Sequence, residues 1–223
     1  MKHPLVLSFR RWASSRAKLG VAALAVAGVL AACTGVPLSS VPRLMQLPNQ
    51  LADADPAELR VALQLDQRLV PAPGAAPQLV LKLTPKDPQA YAPIDRKLPL
   101  QLATSTGAVL GLDAPPPGRR WWVYSLPAAS QAELARIQAL VKQARTPSQT
   151  RNPPPAGGTL SLGIAQDDLA TSLAASDPAL AASRWGTWMQ VRRADGFFEV
   201  WTGTLAQVRD AAAQAPKANP AGR

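Results

Sequence analysis

Apolar residues that recur at every second position, in runs cut off by proline, constrain this chain more than any other feature. Leu59, Val61, Leu63 and Leu65 alternate with Glu58, Arg60, Gln64 and Asp66. A period of two puts alternate side chains on opposite faces, so the run predicts a strand with one buried face. Pro71 to Pro77 interrupts it. Leu79, Leu81 and Leu83 then repeat the pattern around Val80, Lys82 and Thr84. The two runs are expected to pair as a hairpin with a long turn. Leu98, Leu100 and Leu102 predict a third strand, in which Pro99 favours an edge or a strand start. Val109 to Leu112 is a candidate short piece. Arg119 to Leu126, after Pro115-Pro116-Pro117-Gly118, is a fourth strand. No helical pattern separates these runs, and parallel neighbours would need a crossover, so the pairing is expected to be antiparallel.

The period then changes. Ser130 and Glu133 have capping-box spacing. Leu134, Ile137, Val141 and Ala144 follow at helical intervals with Leu140 alongside, while Arg136, Lys142 and Arg145 fall on the other side. This predicts an amphipathic helix over 130–145. Leu160, Leu162 and Ile164 predict a fifth strand. Asp177-Pro178 combines an N-cap residue with proline at the first helical position and predicts a short helix. Trp185, Trp188, Met189 and Arg192 fit helical spacing, whereas Gly186, Thr187 and Val191 suit a strand. The strand is preferred, as a hairpin of 186–193 with 197–203 turned at Ala194-Asp195-Gly196, where glycine supplies a positive φ. Thr204 then caps a last helix with Leu205, Val208 and Ala212. The expected fold is α+β, an antiparallel sheet of about six or seven strands with two main helices packed on one face. The element order suggests two halves of one curved sheet.

The N-terminus reads differently. Lys2, Arg10, Arg11, Arg16 and Lys18 precede an uncharged apolar run, Leu19 to Ala32. As a helix that run would be roughly 21 Å long, short of the ~30 Å hydrocarbon core of a bilayer. A basic stretch, a short apolar stretch and small residues before a cleavage point make a signal peptide, expected over 1–32. Leu30-Ala31-Ala32-Cys33 resembles the lipobox of bacterial lipoproteins. The resemblance covers about the first 34 residues. It implies that a diacylglyceryl transferase alkylates the Cys33 thiol, that signal peptidase II recognises Leu30, Ala31 and Ala32 and cuts before Cys33, and that the new amino group is a further site of acylation. Arg10-Arg11-Trp12 follows Phe9 rather than the serine of the twin-arginine pattern, which speaks against that export route. In the enteric sorting rule, Thr34 rather than Asp after the lipidated cysteine implies an outer-membrane protein on the periplasmic face, with a membrane as partner through its lipid.

Residues 33–56, rich in Pro, Ser, Asn and Asp, are expected to form a tether, part of which docks through Leu44, Met45, Leu47 and Leu51. The periplasmic domain is expected over 57–215 and a disordered tail over 216–223.

His3 is the one histidine and Cys33 the one cysteine. With the signal removed no histidine remains, and the one cysteine carries lipid. Ser-His-Asp and Cys-His catalysis, the usual zinc sites, haem attachment and disulfides are therefore excluded, and no cofactor or metal is expected. The formal net charge is +10. Five of the 24 basic residues precede Cys33, leaving 19 against 14 acids, a net of +5. With no long basic run, nucleic acid is not an expected partner.

Carboxylates offer little chemistry. Asp167-Asp168 is an adjacent pair that suits a hard cation, but also suits the first turn of a helix. Asp53-Ala54-Asp55-Pro56 reads as a turn. A carboxylate hydrolase acting on peptidoglycan would need Glu58, Glu133 or Glu199, or one of the aspartates, as an acid of raised pKa.

Aromatics are more informative. Trp121, Trp122, Tyr124, Trp185, Trp188, Phe197, Phe198 and Trp201 fall in three strand-like segments. Adjacent rings on a strand point to opposite faces, so one ring of each pair lies outside a one-sided core unless something covers it. Arg119, Arg120, Trp121, Trp122, Phe197, Phe198 and Trp201 form a candidate patch for a lipid, a glycan such as peptidoglycan, or an envelope protein. The leading expectation is a non-catalytic binding or assembly component of the cell envelope. A carrier of lipid or another apolar ligand and the hydrolase are the alternatives.

Overall fold

The computed structural model describes residues 35–85, 91–103, 112–145, 158–172 and 178–214. Among the described residues, eight strands and five α-helices make an α+β fold in which every strand pair is antiparallel. The strands are β1 (Arg60–Asp66), β2 (Gln78–Pro85), β3 (Ile94–Pro99), β4 (Gln101–Leu102), β5 (Arg119–Ser125), β6 (Gly158–Ala165), β7 (Arg184–Gln190) and β8 (Phe198–Thr204). The helices are α1 (Val41–Asp53), α2 (Ala128–Arg145), α3 (Asp167–Ser172), α4 (Pro178–Ala181) and α5 (Leu205–Gln214).

The strands divide into a five-stranded sheet, β4-β5-β1-β7-β8, and a three-stranded sheet, β3-β2-β6. This corrects the expected hairpin of the first two strands and the expected two halves of one sheet. β1 is buried from Val61 to Leu65 without a gap, so its alternation does not mark one wet face. Ala62 and Gln64 are covered as well as Val61, Leu63 and Leu65, and a strand covered on both faces belongs in the middle of a sheet. It lies between β5 and β7. β2 keeps the half-buried pattern, with Lys82 and Thr84 exposed, and it centres the smaller sheet. The Pro71–Pro77 segment carries the chain from one sheet to the other.

The run expected as one strand at 98–102 switches sheets as well. β3 ends at Pro99 on the edge of the small sheet, and β4 begins at Gln101 on the edge of the large one. Leu100 between them is buried, and its N–H donates to Pro77 O at 3.1 Å. An edge is the place a ladder tolerates proline. Of the candidate piece at 109–112, only Leu112 is described; it is not a strand residue but packs behind the large sheet.

The main core draws on both sheets and on the helices. It includes Val61, Leu63, Leu65, Leu79, Leu81, Tyr124 and Trp185, with Leu47 and Leu51 from α1, Leu134 and Ile137 from α2, and Leu205 from α5. The reverse face of the large sheet carries a second, small cluster of Ala62, Val123 and Phe197, against which Trp121 and Trp188 pack.

Two helix starts differ in kind. Thr204 Oγ1 accepts from Gln207 N at 3.2 Å, and Gln207 Oε1 accepts from Thr204 N at 2.9 Å, a reciprocal capping box at α5. The box expected at Ser130 and Glu133 does not form, because α2 begins earlier, at Ala128. Ser130 Oγ donates to Pro99 O instead, and Glu133 pairs with Arg136.

The segment expected as a tether is largely folded. After a 3-10 turn at Leu38–Ser40, α1 buries Leu47, Leu51 and Ala52. Its C-terminal carbonyls would be orphans, but the buried side chain of Gln138 on α2 donates to Leu51 O at 2.6 Å and to Ala54 O at 2.9 Å. Apolar burial together with that cap holds the arm down despite Pro48 inside the helix. Gly35 fastens its start. Its O accepts from Thr202 N at 2.6 Å on the edge strand β8. Its φ is +113°, and a Cβ there would collide with Thr202 O and the Trp201 indole. Gly35→Ala is expected to lose the latch, destabilising the fold by about 1–2 kcal/mol, the usual cost of a side chain forced to positive φ. Hydrogen exchange checks this: protection at the Thr202 amide should fall while that of β1 is retained.

Candidate binding site

The leading candidate is an open, mainly apolar pocket of about 450 Å³ bordering the main core. α1 supplies Leu44 and Leu47 to its lining, and β6 supplies Leu162 and Ile164. β7 adds Thr187 and Met189, and β8 adds Val200 and Trp201. Val208 and Ala211 of α5, and Val36 of the N-terminal arm, complete the apolar wall. The volume falls within the roughly 300–1,000 Å³ typical of small-molecule sites.

Three of the polar side chains in the lining hydrogen-bond to one another or to neighbouring residues of the wall. The fully buried Trp185 donates its Nε1–H to Gln166 Oε1 at 2.6 Å, and Gln166 Nε2 donates to Thr187 Oγ1 at 3.2 Å. Gln207 is held in the α5 capping box. Asp167 adds a carboxylate at the first residue of α3. With their hydrogen bonds directed into the wall, the amides leave a surface on which hydrocarbon is the matching occupant.

The predicted patch is not one surface. Arg119 is a structural clip: its guanidinium donates to Gln64 O at 2.7 Å and to Arg184 O at 2.6 Å, bridging β1 and β7. Burial, and then the neighbouring Arg184, lower its pKa from the ordinary arginine value. Arg120 is exposed and stacks its guanidinium 5.2 Å from the Trp122 ring centroid. Trp121 and Trp122 do point to opposite faces, as do Phe197 and Phe198. Trp121 meets Trp188 edge to face at 4.7 Å and donates Nε1–H to Asp113 O at 2.9 Å. Phe197 is buried beside them, and Ala103 and Leu112 pack against the same small cluster. Phe198 lies under Arg43 at 5.6 Å. Of the seven, Trp201 alone lines the 450 Å³ pocket. Trp122 borders a smaller pocket of about 270 Å³ near Pro71–Ala76, with Tyr124. The Tyr124 hydroxyl is buried with no hydrogen-bond partner among the described residues, and that burial pushes its pKa up to about 12.

The carboxylates are engaged in structural roles. Asp167 and Asp168 open α3, and Asp168 accepts from Gln78 at 3.3 Å. Glu133 accepts two hydrogen bonds from Arg136, at 2.8 and 2.7 Å, and Arg96 lies 3.4 Å away. Those cations, Arg136 foremost, hold it below the usual carboxylate range, opposite to the shift a general acid needs. Glu58 accepts from Arg193 N at 2.9 Å, and Glu199 lies 3.6 Å from Arg184. Asp55 caps a 3-10 turn, and Asp53 pairs with Lys142 at 3.2 Å.

Leu44, Leu47, Leu162, Ile164, Met189 and Val208 are site residues that sequence reasoning did not single out. The apolar spacing at Leu44, Leu47 and Leu51 was the available signal. It marks a docked helix but does not say what the helix encloses.

Cys33 and the residues of the expected cleavage site, Leu30, Ala31 and Ala32, lie outside the described residues. Among the described residues no group of three or more His, Cys, Asp or Glu is placed to hold a metal, and no helix is long and apolar enough to cross a membrane. Comparison with protein-family models, with curated proteins and with solved structures finds no match for this chain.

Proposed function

We propose that this chain is a lipoprotein anchored in the outer membrane through Cys33, and that its periplasmic domain is a non-catalytic binding component of the cell envelope whose ligand is apolar. The apolar pocket of about 450 Å³ carries the second part of the reading. The sequence at Leu30-Ala31-Ala32-Cys33 supports the first.

Binding is tested on the chain with Cys33→Ala, exported behind an ordinary cleavable signal peptide in place of residues 1–32. A dansylated alkyl amide is the probe. Saturable one-to-one binding is expected, weakened at least about tenfold by Ala211→Phe, a loss that corresponds to about 1.4 kcal/mol. Ala211 is exposed on α5 at the pocket lining, so the larger ring obstructs the pocket without disturbing the core. Probe binding that is not saturable, or that ignores Ala211→Phe, would sink the reading.

A further inference from the structure

We propose that Leu38, Val41 and Met45 of the N-terminal arm form an apolar ridge by which the domain lies on the surface of an anionic lipid bilayer. The proposal rests on the lipoprotein reading and goes beyond it by giving the folded domain a membrane-facing side.

Exposure is the first argument. Among the described residues five large apolar side chains are exposed, and three of them fall between positions 38 and 45: Leu38 at 83%, Val41 at 39% and Met45 at 77%. Leu38 opens the 3-10 turn Leu38–Ser40, which runs directly into α1. Spacings of three and four residues place the three on one side of a helix. Another side of α1 serves the fold, since Leu47 and Leu51 are buried in the main core and Leu44 packs partly buried against it. The helix therefore carries two apolar stripes, of which the core covers one. Single exposed leucines are ordinary on a surface, but a contiguous group marks a contact.

Area selects the kind of partner. Three side chains are a small part of the roughly 800 Å² that each partner buries in a stable protein complex. A bilayer sets no such threshold when the chain is already held to it, because a second, weak contact then forms at high effective concentration.

Position and charge agree with that choice. Leu38 follows Cys33, the expected site of lipid attachment, by five residues in sequence, a span of at most roughly 18 Å of extended chain. An attached lipid therefore brings the ridge within reach of the headgroups, and the apolar face of a helix settles about 5–10 Å into that boundary. From Gly35 to Ala52 the sequence has no carboxylate and one cation, Arg43, so no charge on this stretch is repelled by negative headgroups.

The test uses the whole lipoprotein, its lipidation established by intact mass, reconstituted into vesicles of phosphatidylethanolamine and phosphatidylglycerol. With Cys33 lipidated, a cysteine introduced as Leu38→Cys, Met45→Cys or Gln46→Cys is the one free thiol and takes an environment-sensitive fluorophore. Leu38 and Met45 are exposed, so neither substitution disturbs the core. The expected result is that doxyl-labelled lipid quenches the labels at 38 and 45 at least about threefold more than the label at Gln46, which is exposed elsewhere on the helix. Equal quenching at the three positions, or none, in a lipidated protein would overturn the proposal and leave the lipoprotein reading intact. Labels at 38 and 45 that are shielded from aqueous iodide but not quenched by lipid, with crosslinking between copies, would overturn it in favour of a dimer contact. A chain without lipid on Cys33 would overturn the lipoprotein reading and the ridge proposal with it.

Discussion

Trp185→Ala is expected to destabilise the domain by about 3–5 kcal/mol, the range for removing a large aromatic side chain from a core. Trp185 is fully buried where β7 meets the main core, and it is the largest of the fully buried side chains. Two losses combine. The ring leaves a cavity next to the pocket wall, and Gln166 Oε1 loses the donor that holds it at 2.6 Å. Against a total stability of about 5–15 kcal/mol for a typical domain, that is enough to leave a substantial unfolded fraction. Trp185→Phe is the milder variant: it keeps a six-membered ring but removes the N–H and part of the bicycle, so it is expected to cost about 1–3 kcal/mol from the lost hydrogen bond and a smaller cavity. Denaturant unfolding of the three proteins checks this. Equal midpoints would show that the indole and its hydrogen bond contribute nothing to the core.

The same residue shows what the sequence does and does not encode. Its segment fits helical spacing through Trp185, Trp188 and Met189, yet Gly186 and Gly196 favour a hairpin, and the hairpin is what forms, with Gly196 at φ +65°. Local chemistry of this kind is legible because glycine's conformational freedom is a property of the residue itself. The opposite faces of Trp121 and Trp122 are legible too, since a period of two leaves no alternative.

Pairing between distant strands is not legible in the same way. β1 and β2 both alternate, and the difference that sends them to separate sheets lies in Ala62 and Gln64, small and polar residues that only become core when β5 and β7 bring Val123 and Trp188 against that face. The pocket is harder still. Its wall is assembled from α1, β6, β7, β8 and α5, each of which shows only an ordinary apolar stripe. Arg119 illustrates the converse error: beside a tryptophan pair it resembles a ligand contact, but its Nη2 is directed to Gln64 O and Arg184 O.

Cys33→Ala is expected to abolish lipid attachment. The unaltered chain should incorporate labelled palmitate and begin at Cys33; the variant should incorporate none, and should either be released from the membrane or retain residues 1–32. The magnitude follows from the anchor. Each buried methylene contributes about 0.8 kcal/mol, so two or more acyl chains hold a protein far more firmly than the marginal, reversible binding of one, and removing all of them changes partitioning by many orders of magnitude. Palmitate labelling, the N-terminal mass and membrane fractionation read the three consequences separately. An unchanged, labelled and membrane-bound variant would contradict the lipobox reading. The folded arm sharpens the expectation. Because Gly35 is latched to β8 and α1 is docked on α2 through Gln138, the described part of the segment expected as a proline-rich tether is held to the domain. The two variants Cys33→Ala and Gly35→Ala divide the roles: the first is expected to lose lipid attachment and keep the latch, the second to lose the latch and keep lipid attachment.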